Sequence, residues 1–140
     1  MSDVSDAIQP ESLGGAVLAG GASRRMGRAK QHVMHEDGRT LAACAMELVS
    51  PLVDVLVVAG PPDAVDDARC IPDLDHHAGL GPLAGIEAVC RSGLAHRWLI
   101  VPCDMPELAA SSLRRLVSAQ GAVAVFGVDG APMSLPVCLD

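Results

Sequence analysis

The sequence predicts a single α/β domain built on a mainly parallel sheet. At 140 residues the chain has room for about one domain, because ~150 residues per domain is a fair prior. Half of its residues are apolar and 19% are charged, a composition that supports a buried core. Short apolar runs alternate with helix-compatible stretches, which is the order typical of parallel strands joined by crossover helices.

The first strand and the first helix are predicted from local signals. Residues 15–18 form an apolar strand, and a loop rich in glycine and arginine follows up to Lys30. Thr40 is a suitable N-cap for a helix over residues 41–48. Pro51 marks the end of that helix, because proline interrupts helical hydrogen bonding.

The rest of the chain continues the alternation. Leu83, Ile86, Ala88 and Cys90 occur at roughly helical spacing, which predicts one apolar helix face. The further predicted elements are strands at 55–59, 69–72, 98–101, 122–126 and 133–138, a helix at 82–91, and a helix capped by Ser111 or Ser112 with Leu113, Leu116 and Val117 on one face.

We divide the chain into a mobile leader at residues 1–13 and a domain at residues 14–140. The leader carries acidic residues and lacks the basic and hydrophobic regions of a secretory signal. The five cysteines are odd in number and form no C-x-x-C pair, which argues against a disulfide framework or a structural zinc site. A reducing cytoplasm is the expected compartment.

Net charge and hydropathy exclude two classes of partner. The formal net charge is -7, so no diffuse positive field exists to bind a nucleic-acid backbone. The longest apolar run, residues 41–46, is far shorter than the ~20 residues of a membrane span. We therefore expect neither a nucleic-acid nor a membrane partner.

Positive charge is concentrated in the loop after the first strand. Four of the ten basic residues fall within positions 24–30, beside Gly20, Gly21 and Gly27. Glycines let backbone N–H groups approach phosphate oxygens closely. The segment therefore predicts an anion site for a nucleoside triphosphate, although Gly21 and Gly27 enclose five residues rather than the four of a Walker A loop.

A carboxylate follows the apolar run at residues 98–101. Asp104 lies between Pro102 and Pro106, and ligands of open parallel sheets bind beyond the carboxyl ends of the strands. Magnesium takes oxygen ligands and often needs only one or two protein carboxylates. Asp104 is therefore the predicted Mg²⁺ ligand, and an N-cap role for it is the alternative.

Three ordered motifs resemble the molybdenum cofactor guanylyltransferase family. They are Leu18-Ala19-Gly20-Gly21 with Arg25-Met26-Gly27 and Lys30, Asp73 with Gly81-Pro82-Leu83-Ala84-Gly85, and Pro102-Cys103-Asp104-Met105-Pro106. The resemblance implies a three-layer Rossmann-like nucleotidyltransferase domain. It also implies transfer of GMP from Mg·GTP to molybdopterin-bound molybdenum cofactor, with release of pyrophosphate and with other cofactor-biosynthesis proteins as further partners.

Site residues are carried over by position from this resemblance. Arg25, Lys30 and Asp104 are the implied catalytic residues, the first two contacting phosphates and Asp104 binding Mg²⁺. The implied nucleotide-binding residues are Leu18, Ala19, Gly20, Gly21, Lys30, Asp73 and Asp104.

The chain departs from the family pattern at two positions and in length. Ala29 stands where the family often has aspartate before the lysine, and Ala59 or a neighbour stands where an asparagine is common. Family members usually continue for several dozen residues, so we expect this domain to lack its C-terminal part. Two alternatives follow: a cytidylyltransferase acting on molybdopterin or another phosphorylated acceptor, which Gly21 disfavours, and a protein that binds GTP without turnover.

Overall fold

The fold is built from eight strands and three helices in the described part of the chain. The computed structural model describes residues 12–19, 22–23, 28–29, 40–60, 68–72, 74, 82–103, 105, 108–119, 123–128 and 131–139. The strands are β1 (Leu13–Leu18), β2 (Ala22–Ser23), β3 (Arg28–Ala29), β4 (Val55–Ala59), β5 (Cys70–Ile71), β6 (Arg97–Pro102), β7 (Val123–Val128) and β8 (Ala131–Leu139). The helices are α1 (Leu41–Val49), α2 (Pro82–Arg91) and α3 (Ala110–Ser118).

Six strands form one sheet in the order β5-β4-β1-β6-β8-β7. β1 pairs in parallel with β4 and β6, and β4 pairs in parallel with β5. β8 is antiparallel to both β6 and β7, so it alone among these six runs against the others. The mainly parallel sheet predicted from the sequence is therefore confirmed, with β8 as its one reversed strand.

Helices cover both faces of the sheet, which gives the three layers that were expected. α1 and α3 lie on one face, and α2 lies on the other over β1, β4 and β5. The cluster on the α1 and α3 face consists of Leu13, Val49, Leu99, Val101, Leu113, Leu116 and Cys138. The cluster on the α2 face consists of Ala16, Val57, Ala59, Val89, Ala95, Trp98, Ile100 and Val137. Within the residues described, no helix is long and apolar enough to cross a bilayer.

The predicted start of α1 is confirmed. Thr40 is in an extended conformation at the N-cap, and its Oγ1 accepts a hydrogen bond from the Ala43 N–H at 3.1 Å. This bond satisfies one of the free N–H groups of the first helical turn. The helix ends at Val49, where a single 3-10 turn at Ser50–Leu52 containing Pro51 follows.

The apolar face predicted for α2 is wrong in part. Leu83 is 77% exposed and Cys90 is also exposed, whereas Ala84, Ala88 and Val89 are buried. The buried side of the first turn is therefore occupied by the small Ala84 and not by the larger Leu83. The bounds of the helix at Pro82–Arg91 agree with the prediction.

The predicted N-cap of α3 is also wrong. The cap is Ala109, which is extended and makes no side-chain hydrogen bond, so Ser111 and Ser112 lie inside the first turn. At the other end of the helix, the Arg97 guanidinium donates to the carbonyl oxygens of Val117 at 2.6 Å and Ala119 at 2.9 Å. These charge-assisted bonds fix the end of α3 to the start of β6.

Gly15 allows α1 to pack directly on β1. An added Cβ at this position would lie 2.4 Å from Val49 Cγ1 and 3.0 Å from Val53 Cγ1. Val49 is fully buried in the cluster under α3 and has no free space to move into. The close approach of strand and helix therefore requires glycine at position 15.

We expect Gly15→Ala to lower the free energy of unfolding by about 1–3 kcal/mol, because overpacking a filled core forces side chains and backbone to shift. Urea unfolding followed by the fluorescence of Trp98, the single tryptophan, measures this change. Ala43→Gly, at a half-buried position of α1, is the comparison for an ordinary helix substitution. An unchanged unfolding midpoint for Gly15→Ala would show that the packing at Val49 is loose.

Candidate functional site

The carboxyl ends of four parallel strands form one edge of the sheet. Leu18 at the end of β1 pairs with Ala59 of β4 on one side and with Pro102 of β6 on the other. Ala59 pairs in turn with Ile71 of β5. These four terminal residues therefore lie in one row across the sheet.

A topological switch point lies at this edge. From β1 the chain passes through α1 to β4 and β5, and it then returns through α2 to β6 on the other side of β1. α1 and α2 lie on opposite faces of the sheet. Because the two crossovers diverge there, a crevice is expected outside the carboxyl ends of β1 and β6, which is where open α/β sheets bind their ligands.

Each predicted site motif follows one of these strand ends. Gly20 and Gly21 come directly after Ala19, Asp73 is two residues after Ile71, and Asp104 is two residues after Pro102. Gly20, Gly21, Arg25, Lys30, Asp73 and Asp104 all lie outside the described residues. The structure thus brings together the strand ends from which these motifs start.

Leu18 and Ala19 are the two predicted site residues that the structure describes. Leu18 is half-buried and packs on the α2 face. Ala19 is 1% exposed and packs with Val58 on the opposite face, while its N–H donates to the Ala59 carbonyl oxygen at 3.0 Å. The Ala19 side chain is therefore part of the core, and the Ala19 N–H is part of the pairing between β1 and β4.

The segment after Ala19 contains a short antiparallel ribbon. Ala22 pairs with Ala29 and Ser23 pairs with Arg28, so positions 24–27 connect the two strands β2 and β3. The sequence predicted an uninterrupted loop here, because strands of two residues carry no readable periodicity. Lys30 directly follows β3 in the chain.

The start of α2 belongs to the same edge of the sheet. α2 follows β5 and precedes β6, so its first residues lie toward the carboxyl ends and its last residues toward the opposite edge. Leu83 in the first turn is 77% exposed. The sequence predicted Leu83 on the buried face, whereas the neighbouring Ala84 is buried in its place.

None of the five cysteines forms a disulfide. Cys103 is 3% exposed and packs with Val17, Ala42 and Ala45, as expected for a small buried residue rather than a nucleophile. Partial burial raises the pKa of the Cys90 thiol above its usual range. This thiol is therefore protonated at neutral pH and is a poor nucleophile.

In the described part of the chain, no three His, Cys, Asp or Glu side chains are grouped so that they could hold a metal ion. The predicted donor, the carboxylate of Asp104, belongs to the residue that follows Cys103 in the chain. A hard oxygen donor of this kind fits magnesium, which completes its coordination with water and phosphate oxygens.

Comparison with known proteins agrees with this geometry. A family model described as the MobA-like NTP transferase domain matches residues 15–140. The chain belongs to this nucleotidyltransferase family. The resemblance predicted from the three motifs is thereby confirmed.

Two relatives show how much of the length of a family member this chain covers. The chain is 38% identical over 130 residues to the molybdenum cofactor guanylyltransferase of Pseudomonas aeruginosa PAO1, covering 82% of this chain and 59% of that protein. It is 32% identical over 110 residues to a probable molybdenum cofactor guanylyltransferase of a Geobacillus strain, covering 74% of this chain and 56% of that protein. The chain thus spans less than three fifths of the length of these curated relatives.

A solved structure supports the same membership of this MobA-like family. The molybdopterin-guanine dinucleotide biosynthesis protein A from Archaeoglobus fulgidus superimposes with a TM-score of 0.69 at 29% identity. The match covers 90% of this chain and 66% of that chain. The Rossmann-like nucleotidyltransferase fold is therefore shared over nearly all of the sequence.

Proposed function

We propose that this chain transfers GMP from Mg·GTP to molybdopterin-bound molybdenum cofactor and releases pyrophosphate. The observation that carries the proposal is the register of β1, β4, β5 and β6, because it aligns the strand ends that precede all three motifs. The names of the curated relatives supply the substrate class.

The proposed roles of the residues follow from their chemistry. The backbone of residues 18–21 lines the base and ribose, and Asp73 contacts the nucleotide. Arg25 and Lys30 neutralise phosphate charge, since guanidinium and ammonium groups form strong charge-assisted bonds with phosphate. Asp104 holds Mg²⁺, which when bound withdraws negative charge from the triphosphate.

The reaction needs little from the protein beyond positioning. A phosphate oxygen of the acceptor attacks the α-phosphorus of GTP, the bond between the α-phosphorus and the bridging oxygen breaks, and pyrophosphate leaves with that bond's electron pair. A phosphomonoester is already largely dianionic near pH 7, because its second pKa is about 6. No general base is required, and charge neutralisation and alignment carry the catalysis.

We also propose a cytoplasmic site of action, since the five free thiols agree with a reducing compartment. The partners are GTP and the molybdenum cofactor, together with other proteins of cofactor biosynthesis. Nucleic acids and membranes are not among them, given the net charge of -7 and the absence of a long apolar run in the sequence.

A nucleotide competition and a product assay together test the proposal. GTP, CTP, ATP and ITP compete with one labelled nucleotide in the presence of Mg²⁺, and pyrophosphate release is then measured with the cofactor added. The proposal predicts that GTP competes best and that release depends on the cofactor. Tighter binding of CTP than of GTP would indicate a cytidylyltransferase. Binding of GTP without release of pyrophosphate would indicate a nucleotide-binding protein without turnover.

Base selectivity gives a specific prediction for Gly21. The loop after β1 has little side-chain bulk, so its backbone groups are able to meet the 2-amino and 6-oxo edge of guanine. A site that hydrogen-bonds a ligand edge rejects analogues that lack it far more strongly than a site that only encloses it. We expect Gly21→Ala to reduce the preference for GTP over ATP and CTP, measured by the same competition. An equal loss of affinity for every nucleotide would show that Gly21 serves only the turn.

A further inference from the structure

The residues that precede Gly20 and Asp104 are anchored on the same face of the sheet. Ala19 is 1% exposed and packs in a cluster with Val58. Cys103 is 3% exposed and packs in a second cluster with Val17, Ala42 and Ala45. Gly20 and Asp104 therefore each follow a residue whose side chain is buried on the α1 face.

One side chain of α1 is common to both clusters. Met46 is half-buried and packs against the cluster of Ala19 and Val58 as well as against the cluster that contains Cys103. Methionine has three rotatable bonds and a polarizable sulfur, so it fills an irregular gap between two surfaces well. Met46 is thus in direct packing contact with the supports of both strand ends.

We propose that Met46 is a positioning residue that holds Ala19 and Cys103, the residues directly after β1 and β6, in place against α1. For the ligands involved, this inference rests on the proposed function. Met46 does not touch the nucleotide in this account and acts through the clusters of Ala19 and Cys103. Met46 thereby couples the binding of the metal ion to the binding of GTP. A metal ion held by Asp104 strengthens GTP binding only when the triphosphate is held at the matching distance from that ion.

Matched variants of α1 distinguish a role in positioning from a loss of stability alone. Met46→Ala removes packing from both clusters, and Met46→Leu conserves volume and should retain the spacing. Leu48→Ala is the control, since Leu48 is also a half-buried residue of α1 but packs against the separate cluster under α3. Both alanine variants should lose stability, whereas only Met46→Ala should alter the site.

The first measurement is the dissociation constant of GTP with and without Mg²⁺ for the full chain and each variant. We expect Met46→Ala to reduce the gain in affinity from Mg²⁺ about tenfold, which lies within the ~5–150-fold range typical of coupling between two bound ligands. Leu48→Ala should keep the gain, and Met46→Leu should restore it. An equal gain in Met46→Ala and Leu48→Ala would overturn the proposal.

The second measurement needs no nucleotide. Amide hydrogen exchange of the segments containing Ala19 and Cys103 should increase in Met46→Ala and stay unchanged in Leu48→Ala. If the native chain binds no GTP, the proposed function fails, and the exchange result alone decides the role of Met46. Unchanged exchange at either segment in Met46→Ala would contradict a shared support for the two strand ends.

Discussion

Replacing Asp104 with asparagine is expected to lower Mg²⁺-dependent transfer by roughly 10³-fold while the fold stays intact. The expected loss follows from the several kcal/mol of transition-state stabilisation that a bound divalent ion supplies. The substitution removes the negative charge that we propose holds the cation, and it keeps the size of the side chain. Pyrophosphate release measured across a range of Mg²⁺ concentrations tests the effect.

Asp54→Asn is the matched control for this variant. Asp54 precedes β4 at the opposite edge of the sheet, where its Oδ2 accepts a hydrogen bond from the Leu13 N–H at 2.8 Å. Asparagine retains an oxygen acceptor, so the bond should persist and activity should be unchanged. If the Asp104 variant matched the native chain at limiting Mg²⁺, another residue would be the metal ligand.

Lys30→Ala and Arg25→Ala are each expected to weaken GTP binding by about 10-fold to 150-fold and guanosine binding much less. The partners proposed for these side chains are phosphates, and hydrogen bonds to charged groups are worth roughly 1.5–3 kcal/mol. Affinities for guanosine, GMP, GDP and GTP measured for each variant show where along the triphosphate the loss begins.

Arg115→Ala is the control for the removal of a positive charge. Arg115 is exposed in the last turn of α3, and the end of α3 is bonded to Arg97 at the start of β6, away from the carboxyl edge. Its substitution should leave all four affinities unchanged. An equal loss of guanosine and GTP affinity in Lys30→Ala or Arg25→Ala would assign that residue to the base or to the fold.

Much of the sheet and of the helices was predictable from local sequence. The strand Val55–Ala59 agrees with its predicted bounds, because a run of aliphatic and β-branched residues is covered on both faces. α1 begins where Thr40 supplies a cap oxygen. β1 begins at Leu13, two residues before its predicted start, since Gly14 interrupts the apolar pattern.

The remaining features depend on tertiary packing. Ala109 caps α3 without a side-chain bond, so no residue-type signal marks the start of that helix. Leu83 is exposed while the less hydrophobic Ala84 and Ala88 are buried, an arrangement that hydropathy alone does not encode. β8 pairs antiparallel with both β6 and β7, and its pairing with β6 joins residues that lie far apart in the chain.

The sequence predicted the motifs of the candidate site but not their arrangement in space. Leu18, Asp73 and Asp104 are dispersed over many residues in the chain. Only the register of β1 with β4 and β6, together with that of β4 with β5, shows that their strands end side by side. The burial of Ala19 also could not be inferred from its residue type. Because of this burial, the Ala19 side chain is not available to a ligand.

Mg·GTP is proposed to bind beyond the carboxyl ends of β1, β4 and β6. Amide chemical shifts of the isotope-labelled chain, followed during titration with Mg·GTP, test it most directly. We predict large shifts at Ala19, Gly60 and Cys103 and none at Leu13 and Arg97, which lie at the opposite edge. Shifts confined to that opposite edge, or no shifts at saturating Mg·GTP, would contradict the claim.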